Sequence, residues 1–492
     1  MKPPKKLPKF LEPKYEPPPE PRPEPPPKKV YETIPKLIRH NYDQGADETA
    51  MCQKKFGIWK KYPWRKYYDT VRQLSLGLIS LGLDRRDVVC LYGDNTPEWS
   101  WGEFATQAAG AIPAAIPVNA APAEVKYITT QNNAKFVIVS GRRQVAILLE
   151  NKSDLPSLQK IIYWEPKGLK DNTDPLLINF NDVLKLGAES AKANPKLFEQ
   201  NIDRVTEDDI AITYYISGAK EPPRAVRMSY RGLLNPGRGF LMRCAIQPED
   251  NLISNLPAGS ANDIFFSAIS HPLTGAALNF PETQETISTD TRETGPDFIF
   301  YPYGQWKSLV AEIKTKIKGA NPLQRFCYNF FMPTGYKMAA YKLQNKKPNV
   351  IRRLMNVPAN LLLFGPLKDK LGLRKVRIAV TDAGLYEEAF RLMHAIGIEL
   401  RQTYTNAEIG MIACQGDNEI DFETVGRPIL GIEVRIGDKD ELLVRSDWIF
   451  SGDATNVQKA AEVLADGWYH TGDKAKITEK GQIAILKGES GV

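Results

Sequence analysis

Apolar positions recur along this 492-residue chain with two periods, one typical of helices and one typical of buried strands. An apolar stripe at helical spacing, followed by Gly82, predicts a helix and consists of Tyr67, Val71, Leu74, Leu78 and Leu81. The next apolar run, at 88–92, is short and continuous, which predicts a strand buried on both faces. The globular part of the chain therefore begins with a helix that leads into a core strand.

Helical and strand patterns then alternate over most of the chain. In the first half, the pattern predicts helices at 99–109 and from residue 123 onward, and strands at 114–118, 136–139 and 161–163. A second run predicts strands at 212–216, 298–301, 376–381 and 398–402, with a helix at 387–395. This alternation indicates βαβ units, so we predict an α/β fold of two subdomains with largely parallel sheets covered by helices.

The two ends of the chain depart from this pattern. Residues 1–29 consist mainly of Pro, Lys and Glu, and proline excludes both helices and central strands. We predict a disordered tail, which is a solvated segment, a spacer, or a polyproline II docking peptide for a protein partner. From residue 425, short strands at 432–436, 441–444 and 482–486 predict a small antiparallel β subdomain. The predicted units are therefore the tail (1–29), an α/β body (30–424) and the β subdomain (425–492).

Composition excludes several classes of protein. No apolar run approaches the ~18 residues of a membrane span, and the N-terminus lacks the apolar stretch of a secretory signal. We therefore expect a cytoplasmic protein. The five cysteines and four histidines follow no spacing typical of a disulfide framework or a metal site. The chain also lacks the basic and aromatic pattern of nucleic-acid modules, so no nucleic-acid partner is expected.

The formal charge of +7 is concentrated in the tail and at 307–375. Between 307 and 353, lysines and arginines alternate with apolar residues, and Glu312 is the single acidic residue of that stretch. Such a segment fits a helix lying on anionic lipid, and it equally fits a solvated basic face. The first alternative predicts peripheral contact of 307–353 with the inner face of a membrane.

The segment Tyr215 to Val226 joins an apolar strand to a loop of small residues, Ser217-Gly218-Ala219. Backbone amides in such a loop can bind phosphate groups. The glycine-lysine-serine ending of a Walker loop is missing here, so an ordinary turn is an alternative interpretation of the spacing alone.

This segment resembles the phosphate-binding signature of the adenylate-forming superfamily, approximately Tyr-Thr-Ser-Gly-Thr-Thr-Gly-x-Pro-Lys-Gly-Val. Three further segments resemble motifs of that superfamily in the same order: Tyr404 to Glu408 (YG-x-TE), Val425 to Pro428 (VG-[RK]-P) and Asp466 to Asp473 (DGW-x-x-TGD). The resemblance extends over about residues 30–486, and the segment Phe364 to Asp369 is most similar to long-chain fatty acyl-CoA synthetases.

The resemblance implies a two-step reaction, in which a fatty acid attacks ATP to give acyl-AMP and CoA then displaces AMP. It implies that Ser217, Gly218 and Arg224 face the ATP phosphates, with Lys220 as an additional cation beside them. The implied ligands of an active chain are therefore ATP, AMP and a fatty acid.

Three further residues take their roles from the same resemblance. Tyr404 is expected to stack on adenine, and Asp473 is expected to bind the ribose hydroxyls. Glu408 is expected to hold Mg²⁺ and is the one residue with a catalytic assignment, because hard cations prefer carboxylate oxygens. If the chain is inactive, no cofactor is expected.

Several positions depart from the family pattern. In the phosphate loop, Ala219 and Lys220 replace threonines, Glu221 replaces a glycine, and Arg224 replaces a lysine. Ala407 replaces the threonine of YG-x-TE. The adenine-binding turn reads Asp-Ala-Gly-Leu at 382–385, and Ser260 replaces a histidine in the family's LPLAHxxE motif. The sequence ends at Val492, where the family continues into a hinge and a C-terminal lid, so we expect the lid to be absent.

These departures lead to three functional hypotheses. The preferred one is a degenerate synthetase homologue, non-catalytic or impaired, that acts as a binding or scaffold partner. The second is an active long-chain fatty acid–CoA ligase whose lid domain is supplied by another polypeptide. The third is a protein that binds fatty acids or acyl-nucleotides.

Overall fold

The structure, a computed structural model, describes residues 31–216, 222–384, 387–448 and 467–486. The predicted tail (1–29) therefore lies outside the described residues. The strands are β1 (Thr49–Lys55), β2 (Ile58–Pro63), β3 (Val88–Tyr92), β4 (Ile112–Ile116), β5 (Phe136–Val139), β6 (Lys160–Tyr163), β7 (Leu177–Asn179), β8 (Ile210–Ile216), β9 (Arg224–Ser229), β10 (Asn251–Ile253), β11 (Ala277–Phe280), β12 (Phe298–Phe300), β13 (Ile378–Thr381), β14 (Leu400–Asn406), β15 (Gly410–Cys414), β16 (Arg427–Pro428), β17 (Glu433–Ile436), β18 (Glu441–Arg445), β19 (Tyr469–Ile477) and β20 (Ile483–Ile485).

Helices connect most of these strands. They are α1 (Ile34–Gly45), α2 (Trp64–Ser80), α3 (Pro97–Ala108), α4 (Pro122–Gln131), α5 (Arg142–Glu150), α6 (Phe180–Ala193), α7 (Leu197–Arg204), α8 (Tyr230–Arg243), α9 (Ala261–Asp263), α10 (Ser270–Thr274), α11 (Ile287–Thr294), α12 (Tyr303–Lys318), α13 (Pro322–Leu343), α14 (Val350–Ala359), α15 (Gly365–Lys370) and α16 (Glu387–Ala395). Short π-helical segments lie at Ile264–Ala268 and Asn360–Phe364, and 3₁₀ turns lie at Lys152–Asp154 and Asp438–Asp440. None of the described helices has the length and apolarity needed to span a bilayer.

The largest sheet of the described part runs in the order β7-β6-β5-β3-β4-β8-β9. Its neighbouring strands are parallel except for the last pair, β8 and β9, which is antiparallel. The central strands β3 and β5 are almost completely buried, because helices cover both faces of a parallel sheet. Their bounds match the predicted strands at 88–92 and 136–139, whereas β4 lies two residues before the predicted 114–118.

Two further mixed sheets complete the α/β part. One runs in the order β10-β11-β1-β2, and its hairpin β1–β2 was not predicted. The other runs in the order β12-β13-β14-β15-β16, with parallel pairing from β12 to β14 and antiparallel pairing beyond. Strand β14 extends to Asn406, four residues beyond the predicted end at 402, because residues 403–406 pair with β15.

The last sheet, β17-β18-β19-β20, is antiparallel throughout and corresponds to the predicted β unit. The predicted fold class, α/β with largely parallel sheets covered by helices plus a small antiparallel sheet, is therefore confirmed. The predicted boundaries at residues 29 and 424 stay predictions.

Helices α2 and α6 approach each other closely at two glycines. A Cβ atom added to Gly187 would lie 1.6 Å from the carbonyl oxygen of Gln73, and one added to Gly77 would lie 2.1 Å from the carbonyl oxygen of Val183. Both distances are far shorter than a van der Waals contact. The packing of these two helices against each other therefore requires glycine at both positions.

Candidate functional site

The predicted phosphate loop lies between two strands of the largest sheet. β8 ends at Ile216, β9 begins at Arg224, and these two residues pair across the antiparallel ladder. Ser217, Gly218 and Lys220 lie outside the described residues, so their phosphate contacts stay predictions. The ladder places Arg224 at the carboxyl end of β8, which is the edge at which open α/β sheets bind ligands.

Both oxygens of the Glu408 carboxylate accept hydrogen bonds. Arg224 donates from Nη2 to Oε1 and forms an ion pair, and Tyr469 donates from Oη to Oε2 at 2.8 Å. The side chains of Arg224 and Glu408 are 38% and 23% exposed, so water screens this pair only in part. The residue predicted to face phosphates and the residue predicted to hold Mg²⁺ therefore bind each other.

The turn that carries Glu408, between β14 and β15, is held from two sides. The backbone N of Glu408 donates to Oδ1 of Asn406 at 2.8 Å, a contact between side chain and backbone that stabilises such turns. Tyr214, from β8, donates its hydroxyl to the carbonyl oxygen of Ala407. Ala407, which stands where the family motif has a threonine, therefore contacts Tyr214 through its backbone carbonyl oxygen.

Tyr404 and Asp473 form a second contact of the site. Tyr404 lies in β14, where it is 6% exposed, and its hydroxyl donates to Oδ2 of Asp473 at 2.5 Å. The backbone N of Asp473, in β19, donates to Oγ1 of Thr471 at 3.1 Å. The Thr471 hydroxyl donates in turn to the carbonyl oxygen of Leu442 in β18, at 2.8 Å. Strand pairing with β18 therefore holds Asp473 against Tyr404.

The tyrosines of the site remain protonated hydrogen-bond donors. Burial, followed by the charge of Glu408, raises the pKa of both Tyr214 and Tyr469 above the usual range. Burial, followed by the hydrogen bond to Asp473, raises the pKa of Tyr404 in the same direction. Each phenol can therefore donate to a carboxylate or a carbonyl across the physiological pH range.

Two positions that depart from the family motifs have structural contacts of their own. Asp382, in the predicted adenine-binding turn, accepts a hydrogen bond from the backbone N of Tyr303 at 2.7 Å, at the first residue of α12. An acidic side chain is favourable at a helix N-terminus. Leu385, at the end of that turn, lies outside the described residues. Ser260 accepts a hydrogen bond from the backbone N of Asp263 at 3.2 Å and so caps α9.

The described residues do not fit a Mg²⁺ ion as they are arranged. Among them, no group of three or more His, Cys, Asp or Glu side chains is placed to hold a metal. Mg²⁺ is usually held by one or two carboxylates together with substrate phosphates and water, so Glu408 is a suitable type of ligand. Its oxygens already bind Arg224 and Tyr469, and the guanidinium is itself a cation. Mg²⁺ at Glu408 would therefore lie next to the Arg224 guanidinium unless it displaced that side chain.

Two residues of the site, Tyr214 and Tyr469, were not predicted from the sequence. Tyr214 lies near the carboxyl end of a predicted strand, directly before the loop motif, and Tyr469 lies within the Asp466 to Asp473 motif. Tyr469 was within a segment singled out for its resemblance and Tyr214 lay one residue before another, but a tyrosine in an apolar run is also an ordinary core residue. For Tyr214, the signal that could have found it is a hydroxyl-bearing side chain directly before the predicted phosphate loop.

Comparison with known proteins identifies the family to which the chain belongs. The family model "AMP-binding enzyme" matches residues 38–452, more than half of the chain. Long-chain-fatty-acid–CoA ligase ACSBG2 of Xenopus laevis is 22% identical over 477 residues, which cover 92% of this chain and 62% of that protein. Long-chain-fatty-acid–CoA ligase ACSBG1 of Rattus norvegicus is 22% identical over 469 residues, which cover 92% of this chain and 64% of that protein. The chain thus spans less than two thirds of the length of these relatives.

A solved structure is similar over nearly the whole chain. The anthranilate CoA ligase AuaEII, in complex with anthranoyl-AMP, has a TM-score of 0.71 at 15% sequence identity, covering 94% of this chain and 80% of that chain. At this identity the likeness establishes the fold. Together with the match of the family model, it shows that the chain belongs to the AMP-binding enzyme family.

Proposed function

We propose that this chain is a homologue of long-chain fatty acyl-CoA synthetases that is impaired in adenylate formation and acts by binding. The observation that carries the proposal is the ion pair between Arg224 and Glu408. In the resembled motifs a lysine stands at position 224 and the carboxylate at 408 holds Mg²⁺. The names of the relatives, which are long-chain-fatty-acid–CoA ligases, support a long-chain fatty acid as the acid that is bound.

The physical argument is electrostatic. A guanidinium and a Mg²⁺ ion about 4 Å apart repel each other by roughly 2 to 8 kcal/mol at effective dielectric constants of about 80 to 20. Even the lower figure lowers the affinity for Mg²⁺ more than tenfold, since about 1.4 kcal/mol corresponds to a factor of ten. The hydroxyl of Tyr469 also occupies one of the two acceptor sites of Oε2 of Glu408. The lysine of the resembled motifs carries the same charge, so the difference proposed for this chain is that its cation at position 224 is bound to Glu408. This ion pair opposes the use of Mg-ATP.

A binding role is supported by the second contact of the site. Asp473 is exposed, and a carboxylate can accept hydrogen bonds from the two hydroxyls of a ribose. Tyr404 lies beside it but is 6% exposed, so stacking of its ring on an adenine base, as the resemblance implies, requires a local movement of the surrounding residues. Neither contact depends on a metal ion. We therefore expect AMP or an acyl-adenylate to bind even where Mg-ATP is not turned over.

The test is the release of pyrophosphate by the purified chain with Mg-ATP and fatty acids from short to long chain length. We expect no release that depends on both acid and protein. The variant Arg224→Lys, combined with Ala219→Thr, Lys220→Thr and Glu221→Gly, restores the family residues and is expected to raise any residual rate. Arg227→Lys is the matched control, because residue 227 lies on the same strand and faces the opposite side of the sheet. Acid-dependent release by the unaltered chain would refute the proposal.

A second candidate, an active long-chain fatty acid–CoA ligase, is favoured by the retention of Tyr404, Glu408 and Asp473 around one site. In this case Arg224 leaves Glu408 when Mg-ATP enters. Acid-dependent release of pyrophosphate, followed by transfer of the acyl group to CoA, would establish it. A role limited to carrying fatty acids or acyl-nucleotides predicts that such a ligand is detected by mass spectrometry of the chain purified from cells. The predicted docking of a protein partner on the tail (1–29) stays a prediction, because the tail lies outside the described residues.

A further inference from the structure

The helical segment 350–370 exposes an apolar face to solvent. It consists of α14, the π-helical segment Asn360–Phe364 and α15. Six of its aliphatic side chains are exposed by 56% to 75%: Val350, Ile351, Leu354, Val357, Leu361 and Leu362. Their spacing places them on one side of the helix. We call this set the 350–362 face.

The opposite side of the same segment packs on the protein. Ala359, Leu363 and Phe364 are buried in a core cluster that also includes Phe331 and Met332 of α13. The segment is therefore apolar on both sides, although only one side has a partner within the described residues. Contiguous exposed apolar surface of this kind usually marks a site of interaction with a protein or a membrane.

Helix α13, which packs against α14, adds aromatic side chains to the exposed apolar surface. Leu323, Phe326 and Phe330 recur at helical spacing and are 71%, 63% and 51% exposed. The rings of Phe326 and Phe330 stack with their centroids 5.7 Å apart. Aromatic and aliphatic residues on helices, accompanied by lysine and arginine, are typical of segments that lie in a lipid interface.

The charge of the region has one sign. No Asp or Glu occurs between Ile313 and Lys368, whereas this stretch contains eleven lysines and arginines. Lys346 and Lys347, in the connection from α13 to α14, and Arg353, on α14, are exposed and take part in no ion pair with the described residues. Cationic side chains therefore adjoin the 350–362 face.

We propose that the 350–362 face docks on an anionic lipid bilayer. Aliphatic side chains of this face enter the acyl region, and Lys346, Lys347 and Arg353 contact lipid phosphates. A second copy of the chain is a poorer partner for this face, since a symmetric contact would bring the same cations of two copies together. Lys346, Lys347 and Arg353, which form no ion pair with the described residues, favour an extended anionic surface. This inference does not depend on the catalytic state of the site.

The experiment is sedimentation of the full 492-residue chain with large vesicles, made either of phosphatidylcholine alone or of phosphatidylcholine mixed with phosphatidylserine. We expect partitioning to the mixed vesicles that weakens with salt, and much weaker partitioning to phosphatidylcholine. Leu354→Ser combined with Leu361→Ser is expected to reduce the partition coefficient at least tenfold, since about 0.8 kcal/mol is lost per CH₂ group that is no longer buried. Lys346→Ser combined with Lys347→Ser is expected to reduce binding to the mixed vesicles alone.

The matched control is Phe56→Ser combined with Ile58→Ser, at the turn between β1 and β2, where these side chains are 94% and 72% exposed. This variant removes exposed apolar surface elsewhere and should bind vesicles as the unaltered chain does. Three results would overturn the proposal: no binding of the unaltered chain, equal binding by the control and the Leu354/Leu361 variant, or a dimer in sedimentation velocity that the Leu354/Leu361 changes dissociate. All of the substituted side chains are exposed, so circular dichroism spectra should be unchanged.

Discussion

Replacing Glu103 with glutamine should make the protein more stable at mildly alkaline pH. Glu103, in α3, is 2% exposed and lies close to Asp263, which is 3% exposed. Asp263 accepts hydrogen bonds from Nδ2 of Asn95 at 3.0 Å and from the backbone N of Gly259 at 3.1 Å. Glu103 has one weak donor, Nε2 of Gln107 at 3.4 Å, and its Oε2 has no partner among the described residues. The less satisfied carboxyl of this buried pair is therefore Glu103.

Burial, followed by the charge of Asp263, raises the pKa of Glu103 from 4.5 to about 8. Burial likewise raises the pKa of Asp263 to about 7. Between pH 4.5 and about 8 the folded chain retains a proton at Glu103 that the unfolded chain releases, so stability falls as pH rises through this window. At about 1.4 kcal/mol per pKa unit, the loss at the upper end is on the order of 4 kcal/mol. Glutamine does not ionise and avoids this loss.

The assay is thermal unfolding of the unaltered chain and of Glu103→Gln across this pH range, followed by circular dichroism. We expect the variant to have the higher Tm near pH 8 and the difference to shrink towards pH 4.5. Comparing the two chains cancels the contributions of buried histidines, which titrate in both. Glu150→Gln, at an exposed position of α5, is the control and should leave the pH profile unchanged. If the Tm values of the unaltered chain and Glu103→Gln change in parallel over the whole range, the carboxyl is not neutral in the folded state and the reasoning is wrong.

Two further predictions concern packing and acid stability. Gly187→Ala should lower the free energy of unfolding by about 3 kcal/mol or more, because the new Cβ meets a carbonyl of α2 at 1.6 Å. The measurement is denaturant titration. Gly304→Ala, where nothing lies within 4 Å of the added Cβ, is the control and should have little effect. His271, stacked on Trp64, has its pKa lowered by burial from 6.5 to about 4, so the folded chain loses stability as pH falls through this window. His271→Phe should reduce that loss of unfolding free energy by an amount on the order of 3 kcal/mol, measured by denaturant titration at acid pH. If the variant loses as much stability in acid as the unaltered chain, His271 is not held neutral in the folded state.

The core of the fold was predictable where strands are buried on both faces. β3, β5 and α16 match the predicted 88–92, 136–139 and 387–395, because continuous apolar runs and clear helical periodicity identify such elements from the sequence. The hairpin β1–β2 was missed because polar residues interrupt the apolar pattern of both strands, although β1 is mostly buried. β19 was missed for the same reason, since its residues from Thr471 to Lys474 are polar or glycine and are held by pairing with β18. The strands that stabilise such polar strands by pairing are distant in the sequence, so a local pattern does not reveal them.

The site was predictable as a set of residues and not as a set of contacts. The motifs identified Arg224, Tyr404, Glu408 and Asp473, and the structure joins these as two pairs. No local pattern indicates that Arg224 and Glu408 bind each other, because they lie 184 positions apart. That contact arises from the meeting of β9 with the turn after β14, which is a property of the tertiary fold. The roles in nucleotide and metal binding that the resemblance implies stay predictions.

The distances along the chain between the contacting residues of the site have a consequence for folding. The hydroxyl of Tyr214 meets a carbonyl 193 positions later, and Tyr469 meets Glu408 across 61 positions. Closing such long loops is entropically costly and slow, so these contacts form only after the separate sheets have assembled. Partly folded chains should therefore lack the site altogether. A molecule that binds there would select fully assembled chains and raise their stability against unfolding and proteolysis by an amount that grows with the logarithm of its concentration.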